Sequence, residues 1–259
     1  MPAFGICQLT LIPIRKEPTE QSEMVNQLLF GETVEILSSK GSWSHIRTHF
    51  DEYEGWLNTN MITLLDEKKF KTYQSSPKIF LKAPFFKVSS TASERPVSYI
   101  PGGSTLLEEN DLTISENILR ELDTRAELHH LSSKVDIIGT AFKFLNAPYL
   151  WGGRTIFGID CSGFTQIVFK MNGQTLPRDA GQQAKLGKNI GNIEEARSGD
   201  LAFFCAEDGR ITHTGIIIEN YEIIHASGCV HIEKLDKHGI LNATTMEYSY
   251  KLSSIKRLF

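Results

Sequence analysis

Between Ala147 and Phe169 the chain reads APYLWGGRTIFGIDCSGFTQIVF, and this stretch limits the fold more than any other. It holds a Gly152-Gly153 turn, an acidic residue directly before Cys161, and then an apolar pattern of helical period. Phe164, Ile167, Val168 and Met171 fall at the spacing of one helix face, and Gly173 supplies a stop. The spacing predicts a buried helix with Cys161 at or just before its first turn. A thiol there meets the positive end of the helix dipole and unpaired backbone N–H groups, which favour thiolate over thiol. Cys161 is therefore the candidate nucleophile.

The remaining bounds are broad. A chain of 259 residues has room for one large domain or two to three small ones. A net charge of −4, with neither Lys nor Arg clustered, gives no electrostatic case for nucleic acid or an anionic membrane. No apolar run approaches the roughly 20 residues that span a bilayer. The N-terminal MPAFGICQLTLIPIRKE lacks a basic leader region and a cleavage site, so the expected compartment is the cytoplasm, or an exported one if a signal has been removed. Cys7, Cys161, Cys205 and Cys229 are scattered, without metal or disulfide spacing. Cys7, Cys205 and Cys229 sit in strand-like runs and read as small core residues.

From about residue 7 to 65 the chain reads as short strands: CQLTLIPI, QLLFGETVEIL, SWSHIRTHF and EGWLNTNMITLL, with no convincing helix. Alternation in Thr33–Leu37 and Trp43–Arg47 is that of half-buried antiparallel strands. Trp43 and Trp56 read as barrel core. The elements Gly31-Glu32-Thr33-Val34, Gly41-Ser42-Trp43 and Glu54-Gly55-Trp56-Leu57 resemble the bacterial SH3-like domain. A second strand-rich stretch, from about 78 to 130, contains SYIPGGSTLLE, a loose echo of LLFGETVEIL, and reads as a second, degenerate SH3-like barrel. Asp66-Glu67-Lys68-Lys69 marks the boundary. From Ser132 the period becomes helical. Val135, Ile138, Gly139, Phe142 and Leu145 form one face, with a Ser132/Ser133 start and an end before Pro148. After Asp200 come LAFFC, ITHTGIII, YEIIHAS, CVHIEKL and YKLSSIKRLF, an antiparallel meander, which makes the last 125 residues or so an α+β domain. The expected division is 1–66, 67–130 and 131–259.

Cys161 needs a base, and the chain has eight histidines. His213 and His225 lie in consecutive strands, with Glu219-Asn220 as a tight turn between them. Folding that hairpin brings the two rings to neighbouring positions across the ladder. One imidazole can then take the thiol proton while the other holds its far nitrogen. His45, His49, His129, His130, His231 and His238 show no partner pattern and read as surface or structural.

Taken together, Asp160-Cys161-Ser162-Gly163-Phe164, Pro148-Tyr149-Leu150-Trp151-Gly152-Gly153, Leu176-Pro177-Arg178, Gly199-Asp200-Leu201, His213-Thr214-Gly215 and Ile224-His225-Ala226 resemble the NlpC-type cysteine peptidases, papain-like enzymes that cut bacterial cell-wall peptides. The resemblance covers the C-terminal half in order. It implies Cys161 as nucleophile, His213 as general base and later acid, and His225 as orienting residue. The fold class is then multidomain, two small all-β SH3-like barrels followed by an α+β papain-like catalytic domain.

Two SH3-like domains ahead of such a domain resemble the γ-D-glutamyl-L-diamino acid endopeptidase branch, which acts on murein peptides with a free N-terminal L-Ala. Tyr149, twelve residues before the nucleophile, the Asp160/Ser162 pair and Asp51-Glu52-Tyr53-Glu54-Gly55-Trp56 fit it. A site for a charged amine needs a carboxylate and polar acceptors. Asp160 would supply the charge, though it also suits a helix N-cap, while Ser162 and Tyr149 would bond to substrate. Glu23 and Tyr53 would reach in from the first barrel. Arg178 suits a loop tie as well as a substrate contact, with Gln182 nearby, and Gly199-Asp200 suits a turn. The expected partner is a small murein peptide met by a monomer, with no metal or cofactor. The alternatives are an endopeptidase acting on intact peptidoglycan with the barrels as wall anchors, and a binding module whose site has decayed. The complete Cys161/His213/His225 set argues against the latter.

Overall fold

The computed structural model describes residues 3–87, 99–107, 128–129, 135–242 and 245–258, arranged as two compact units. One comprises Met1–Val135 with Lys170–Thr175, the other Asp136–Phe169 with Leu176–Phe259.

The first unit contains an antiparallel sheet of seven strands: β1 (Ala3–Ile6), β2 (Leu11–Arg15), β3 (Met24–Leu29), β4 (Thr33–Lys40), β5 (Trp43–Thr48), β6 (Glu54–Asn58) and β7 (Thr63–Leu65). Their order is β3-β2-β6-β5-β4-β1-β7. The period-2 pattern turns Ile12, Ile14, Val34, Ile46 and Leu57 onto a common core with Leu28, Ile62 and Cys7. β1 precedes the first strand expected, and QLLFGETVEIL divides into two strands at a turn. Trp43 and Trp56 are half-buried rather than core. They alternate with buried Ser44 and Leu57, so the pleat turns them to the outer face, where Trp56 packs against His45 at 5.0 Å.

The boundary segment is a helix, α1 (Glu67–Ser75), where no helix is expected. Asp66 caps it by accepting from the Lys69 N–H at 2.7 Å, and the buried Tyr73 donates its hydroxyl to the Gly31 carbonyl. Beyond it lie β8 (Lys78–Leu81), β9 (Phe85–Lys87), β10 (Tyr99–Pro101), β11 (Thr105–Leu107) and β12 (Leu128–His129), paired as β11-β8-β12 and β10-β9. Phe30, Ile79, Leu81, Phe86, Ile100 and Leu106 form the core beneath them. In the 170–175 segment, the buried Lys170 ammonium meets Glu32 Oε1 at 2.5 Å.

The second unit opens with α2 (Ile137–Phe142). Its cap is Asp136, which accepts from the Gly139 N–H at 2.9 Å; Ser132 and Ser133 lie outside the described residues. The buried face is Ile137, Thr140 and Ala141, while Val135 and Phe142, expected to face inward, are exposed. A short hairpin follows, β13 (Arg154–Thr155) and β14 (Gly158–Ile159), then α3 (Cys161–Lys170) and α4 (Ala180–Gln183). α3 is buried on every side rather than on one face. Its polar residues are accordingly bonded: Thr165 donates to Gln183 at 2.7 Å, and the Gln166 amide to the Leu176 carbonyl at 3.0 Å.

The remainder is one sheet of β15 (Lys188–Ile190), β16 (Leu201–Cys205), β17 (Ile211–Ile218), β18 (Glu222–Ser227), β19 (Cys229–Leu235), β20 (Gly239–Leu241) and β21 (Tyr248–Arg257). The expected meander is present, with β15 and β20 in addition. β20 pairs with β21 as well as with β19, so the strands from β16 to β21 close on themselves. Asp200, more than a turn residue, accepts two bonds from the Arg257 guanidinium at 2.8 and 2.7 Å.

Candidate active site

Cys161 is held by a short, tightly determined segment. After the β13–β14 hairpin the chain reaches Asp160, whose carbonyl accepts the Phe164 N–H at 2.8 Å and whose Oδ1 accepts the Gly163 N–H at 2.7 Å. That is the N-cap pattern. The Gly152-Gly153 turn comes back over the helix start, and the Gly152 N–H donates to Asp160 Oδ2 at 2.8 Å. A Cβ on Gly163 would lie 2.3 Å from the Gly153 carbonyl oxygen, so this approach requires glycine at position 163. Arg178 completes the cluster. Its Nη1 donates to Asp160 Oδ1 at 3.0 Å and to Ser162 Oγ at 2.9 Å, and its Nη2 to Asp160 Oδ2 at 2.5 Å. Arg178, Asp160 and Ser162 are all buried. Asp160 is thus cap and counter-charge at once, and Arg178 is the tie that its sequence context allowed. The second tie is Gln183, bonded to the Ser162 and Pro177 carbonyls, whereas Gln182 is exposed.

The histidine hairpin has a three-residue turn at 219–221, with Asn220 and Tyr221 at positive φ, rather than the two-residue turn expected. The register therefore sets His225 opposite Gly215, with His213 on the diagonal. The rings still meet, His213 Nε2 lying 2.8 Å from His225 Nδ1. Gly215 permits this, because a Cβ there would lie 2.8 Å from the His225 Cβ. A β-bulge at Phe204/Cys205 adjusts the strand opposite His213. The backbone N–H of Thr214, directly after His213 on β17, lowers the Cys161 thiol's pKa against the effect of burial, which sets the thiol near the strand that carries His213.

The electrostatics differ from the expectation of a resting thiolate. Burial, and then the Asp160 charge, push the Cys161 thiol up to about 12, against the opposing pull of the Thr214 and Ser162 N–H groups and Arg178. Desolvation outweighs the helix terminus because Cys161 is almost completely buried. Burial likewise holds His213 well below the ordinary histidine range, with His225 and His231 adding to it. Burial thus disfavours the charged form of both the thiol and the imidazole. Tyr149, half-buried, has its phenol raised by burial and by the neighbouring Cys161 and Asp160, so it remains a hydroxyl donor.

Two further residues join the site without a signal in the sequence. Tyr250 on β21 stacks flat on His213, with centroids 3.9 Å apart and planes 11° apart, and its hydroxyl lies 3.0 Å from Ser227 Oγ. Glu233 on β19 lies 2.9 Å from His225 Nε2. His231, read as lacking a partner, has its Nε2 3.2 Å from the same Glu233 oxygen. The donor atoms of His225, His231 and Glu233 lie within 4.8 Å of one another, a set that could hold a metal ion among the described residues. Glu23 and Tyr53 lie in the first unit, Glu23 ion-paired with Lys16 at 3.5 Å, and Tyr53 accepting the Thr48 N–H at its carbonyl while donating its own N–H to Thr48 Oγ1.

Residues 146–248 match the NlpC/P60 family, and residues 14–62 match the bacterial dipeptidyl-peptidase Sh3 domain. Gamma-D-glutamyl-L-lysine dipeptidyl-peptidase of Bacillus subtilis (strain 168) is 31% identical over 250 residues, covering 90% of this chain and 80% of that protein. Dipeptidyl-peptidase 6 of Lysinibacillus sphaericus is 24% identical over 245 residues, covering 85% and 88%. The crystal structure of an NlpC/P60 family protein from Bacillus cereus ATCC 10987 matches with a TM-score of 0.76 over 98% of this chain and 99% of that one. At 20% identity that likeness speaks for the fold alone. With a cysteine at a capped helix start, two bonded histidines on the adjoining sheet and a relative this similar over nearly its whole length, the chain belongs to the NlpC/P60 family of cysteine peptidases.

Proposed function

We propose that this peptidase cleaves the bond between γ-D-Glu and the L-diamino acid of murein peptides that carry a free N-terminal L-Ala, releasing L-Ala-γ-D-Glu. The observation that carries this reading is the likeness, over 90% of the chain, to a protein named for γ-D-glutamyl-L-lysine dipeptides. The clustering of Cys161, His213 and His225 supports the chemistry.

Cys161 is the proposed nucleophile. Because burial disfavours charge on both thiol and imidazole, proton transfer accompanies attack: as Sγ adds to the scissile carbonyl carbon, His213 takes the thiol proton. Backbone N–H donors near the start of α3 stabilise the oxyanion. Collapse gives a thioacyl-enzyme and passes the proton from His213 to the departing amine. Water, deprotonated by His213, then releases the acid. His225 orients His213. Tyr149 and Ser162 are the proposed hydrogen-bonding groups for the non-primed end. Asp160 faces the substrate amine in this reading while paired with Arg178, so amine and guanidinium share one carboxylate. Residues 67–130 are read as a second, degenerate SH3-like domain, Glu23 and Tyr53 as contacts from the first, and the active species as a monomer.

Incubation with L-Ala-γ-D-Glu-L-Lys should release the dipeptide, with the N-acetylated peptide resisting; chromatography of the products distinguishes the two. Equal turnover of both peptides would remove the free-amine requirement. Full activity in Cys161→Ser would remove the nucleophile assignment.

A further inference from the structure

We infer that Glu233 is a positioning residue that fixes the protons on both catalytic-site imidazoles, so that His213 keeps a bare nitrogen for the thiol. The inference rests on the proposed roles of Cys161, His213 and His225. It starts from a directional problem. Two neutral imidazoles joined by one hydrogen bond can be arranged in either of two senses, with the shared proton on His213 Nε2 or on His225 Nδ1. Their 2.8 Å separation fits both. Only the first leaves His213 Nδ1 unprotonated. In the second, His213 carries its proton on Nδ1 and cannot act as a base.

Glu233 breaks this symmetry. A carboxylate only accepts, so the 2.9 Å contact from His225 Nε2 to Glu233 Oε2 requires the His225 proton on Nε2. A neutral His225 then has a bare Nδ1 that must accept, and the donor opposite it is His213 Nε2–H. Neutral His213 is left with its lone pair on Nδ1. One carboxylate thus sets the tautomer of a ring it does not touch. Solvent cannot undo the choice, because His225 is fully buried and His213 almost so. The sheet supplies the geometry. In the β18–β19 register His225 faces His231, placing Glu233 on the diagonal; His231 Nε2 lies 3.2 Å from the same carboxylate oxygen, and its Nδ1 lies 2.9 Å from the Cys229 carbonyl. When His213 takes the thiol proton, both its nitrogens carry hydrogen. The relay then runs donor to acceptor through His225 to a fixed negative charge, the logic by which a buried carboxylate supports a catalytic imidazolium.

The test uses the full chain with 15N-labelled histidine in the wild type, Glu233→Gln and Glu233→Leu, with His231→Asn as a control. Two readouts need no substrate: the tautomers of His213 and His225 from 15N shifts and couplings, and the rate of Cys161 alkylation by iodoacetamide. A third is the split of kcat from KM on the dipeptide-releasing reaction. Wild type should show Nε2–H on both rings. Glu233→Leu should populate Nδ1–H and lose about 10- to 100-fold in kcat and in alkylation rate with KM nearly unchanged, the size of effect typical of outer partners that orient a working histidine. Glu233→Gln should lie between, since its amide oxygen can still accept from Nε2–H. His231→Asn should retain the wild-type tautomers. Nε2–H on both rings in Glu233→Leu would overturn the inference, whatever happened to kcat; should Glu233→Leu not fold, the tautomers of Glu233→Ala, which also removes the acceptor, decide. Failure of the substrate proposal would appear only as absent dipeptide release, with tautomers and alkylation still interpretable.

Discussion

At the scale of single residues, the site is governed by desolvation. The helix start beneath Cys161 invites a thiolate, yet nearly complete burial pushes the thiol up, and the same burial pulls His213 down. A consequence is measurable against pH. His213 and His225 both bind protons less readily in the folded chain than an ordinary histidine does. The unfolded chain therefore takes up protons on these residues first, near pH 6.5, and their contribution to stability, complete above that value, is lost as pH falls below it. Melting followed by circular dichroism should show a lower midpoint at pH 5 than at pH 7.5, with the difference reduced in His213→Phe. The acid limb of kcat/KM, which reports the free enzyme's base, should lie below 6.5. A limb at 7 or above would contradict the lowering of His213 by burial.

Among the elements, α3 depends most on its surroundings. Its start is welded to the Gly152-Gly153 turn and to Arg178 through a single carboxylate. Replacing Arg178 by Met keeps most of the volume but leaves Asp160 charged and buried. The expected loss is about 3–5 kcal/mol, the usual result of removing one partner of a buried pair, read from urea unfolding. A loss under about 1 kcal/mol would mean that the two backbone N–H groups alone satisfy Asp160. These elements also show what was legible in the residues. The helix behind Cys161, its Gly173 stop and the five long strands after Asp200 follow from periods of 3.6 and 2, which local side-chain order records directly. The burial of α3 on all sides was not, because its polar Thr165 and Gln166 look solvent-facing until their partners arrive from residues 176–183. α1 was missed because its charged sequence reads as linker, while the Asp66 cap and the Glu67–Lys71 pair that support it are weak local signals. His213 and His225 were identifiable as a pair, but Tyr250 and Glu233 were not. Their place beside the histidines comes from sheet closure and register, which no window of sequence encodes.

For the whole molecule, two units with separate cores divide the labour that the substrate reading assigns them. All the proposed chemistry resides in the second unit; selection of the peptide terminus is where the first would act, through Glu23 and Tyr53. Glu23→Ala and Tyr53→Phe should each raise KM for the free-amine peptide severalfold while kcat and melting temperature stay near wild type. Steady-state kinetics with unchanged KM in both variants would confine recognition to Tyr149, Asp160 and Ser162.

The strand β21 has an implication for timing. It pairs with β15, β16 and β20, holds Arg257 against Asp200, and lays Tyr250 on the His213 ring. Ribosomes deliver a chain from its amino end, so Cys161 and both histidines are made well before this strand. Until residues 248–251 of this strand have emerged, the β20–β21 closure cannot form and the imidazole lacks the ring it stacks on. The nucleophile and both histidines thus exist in the growing chain before the strand that closes their sheet and covers the His213 ring.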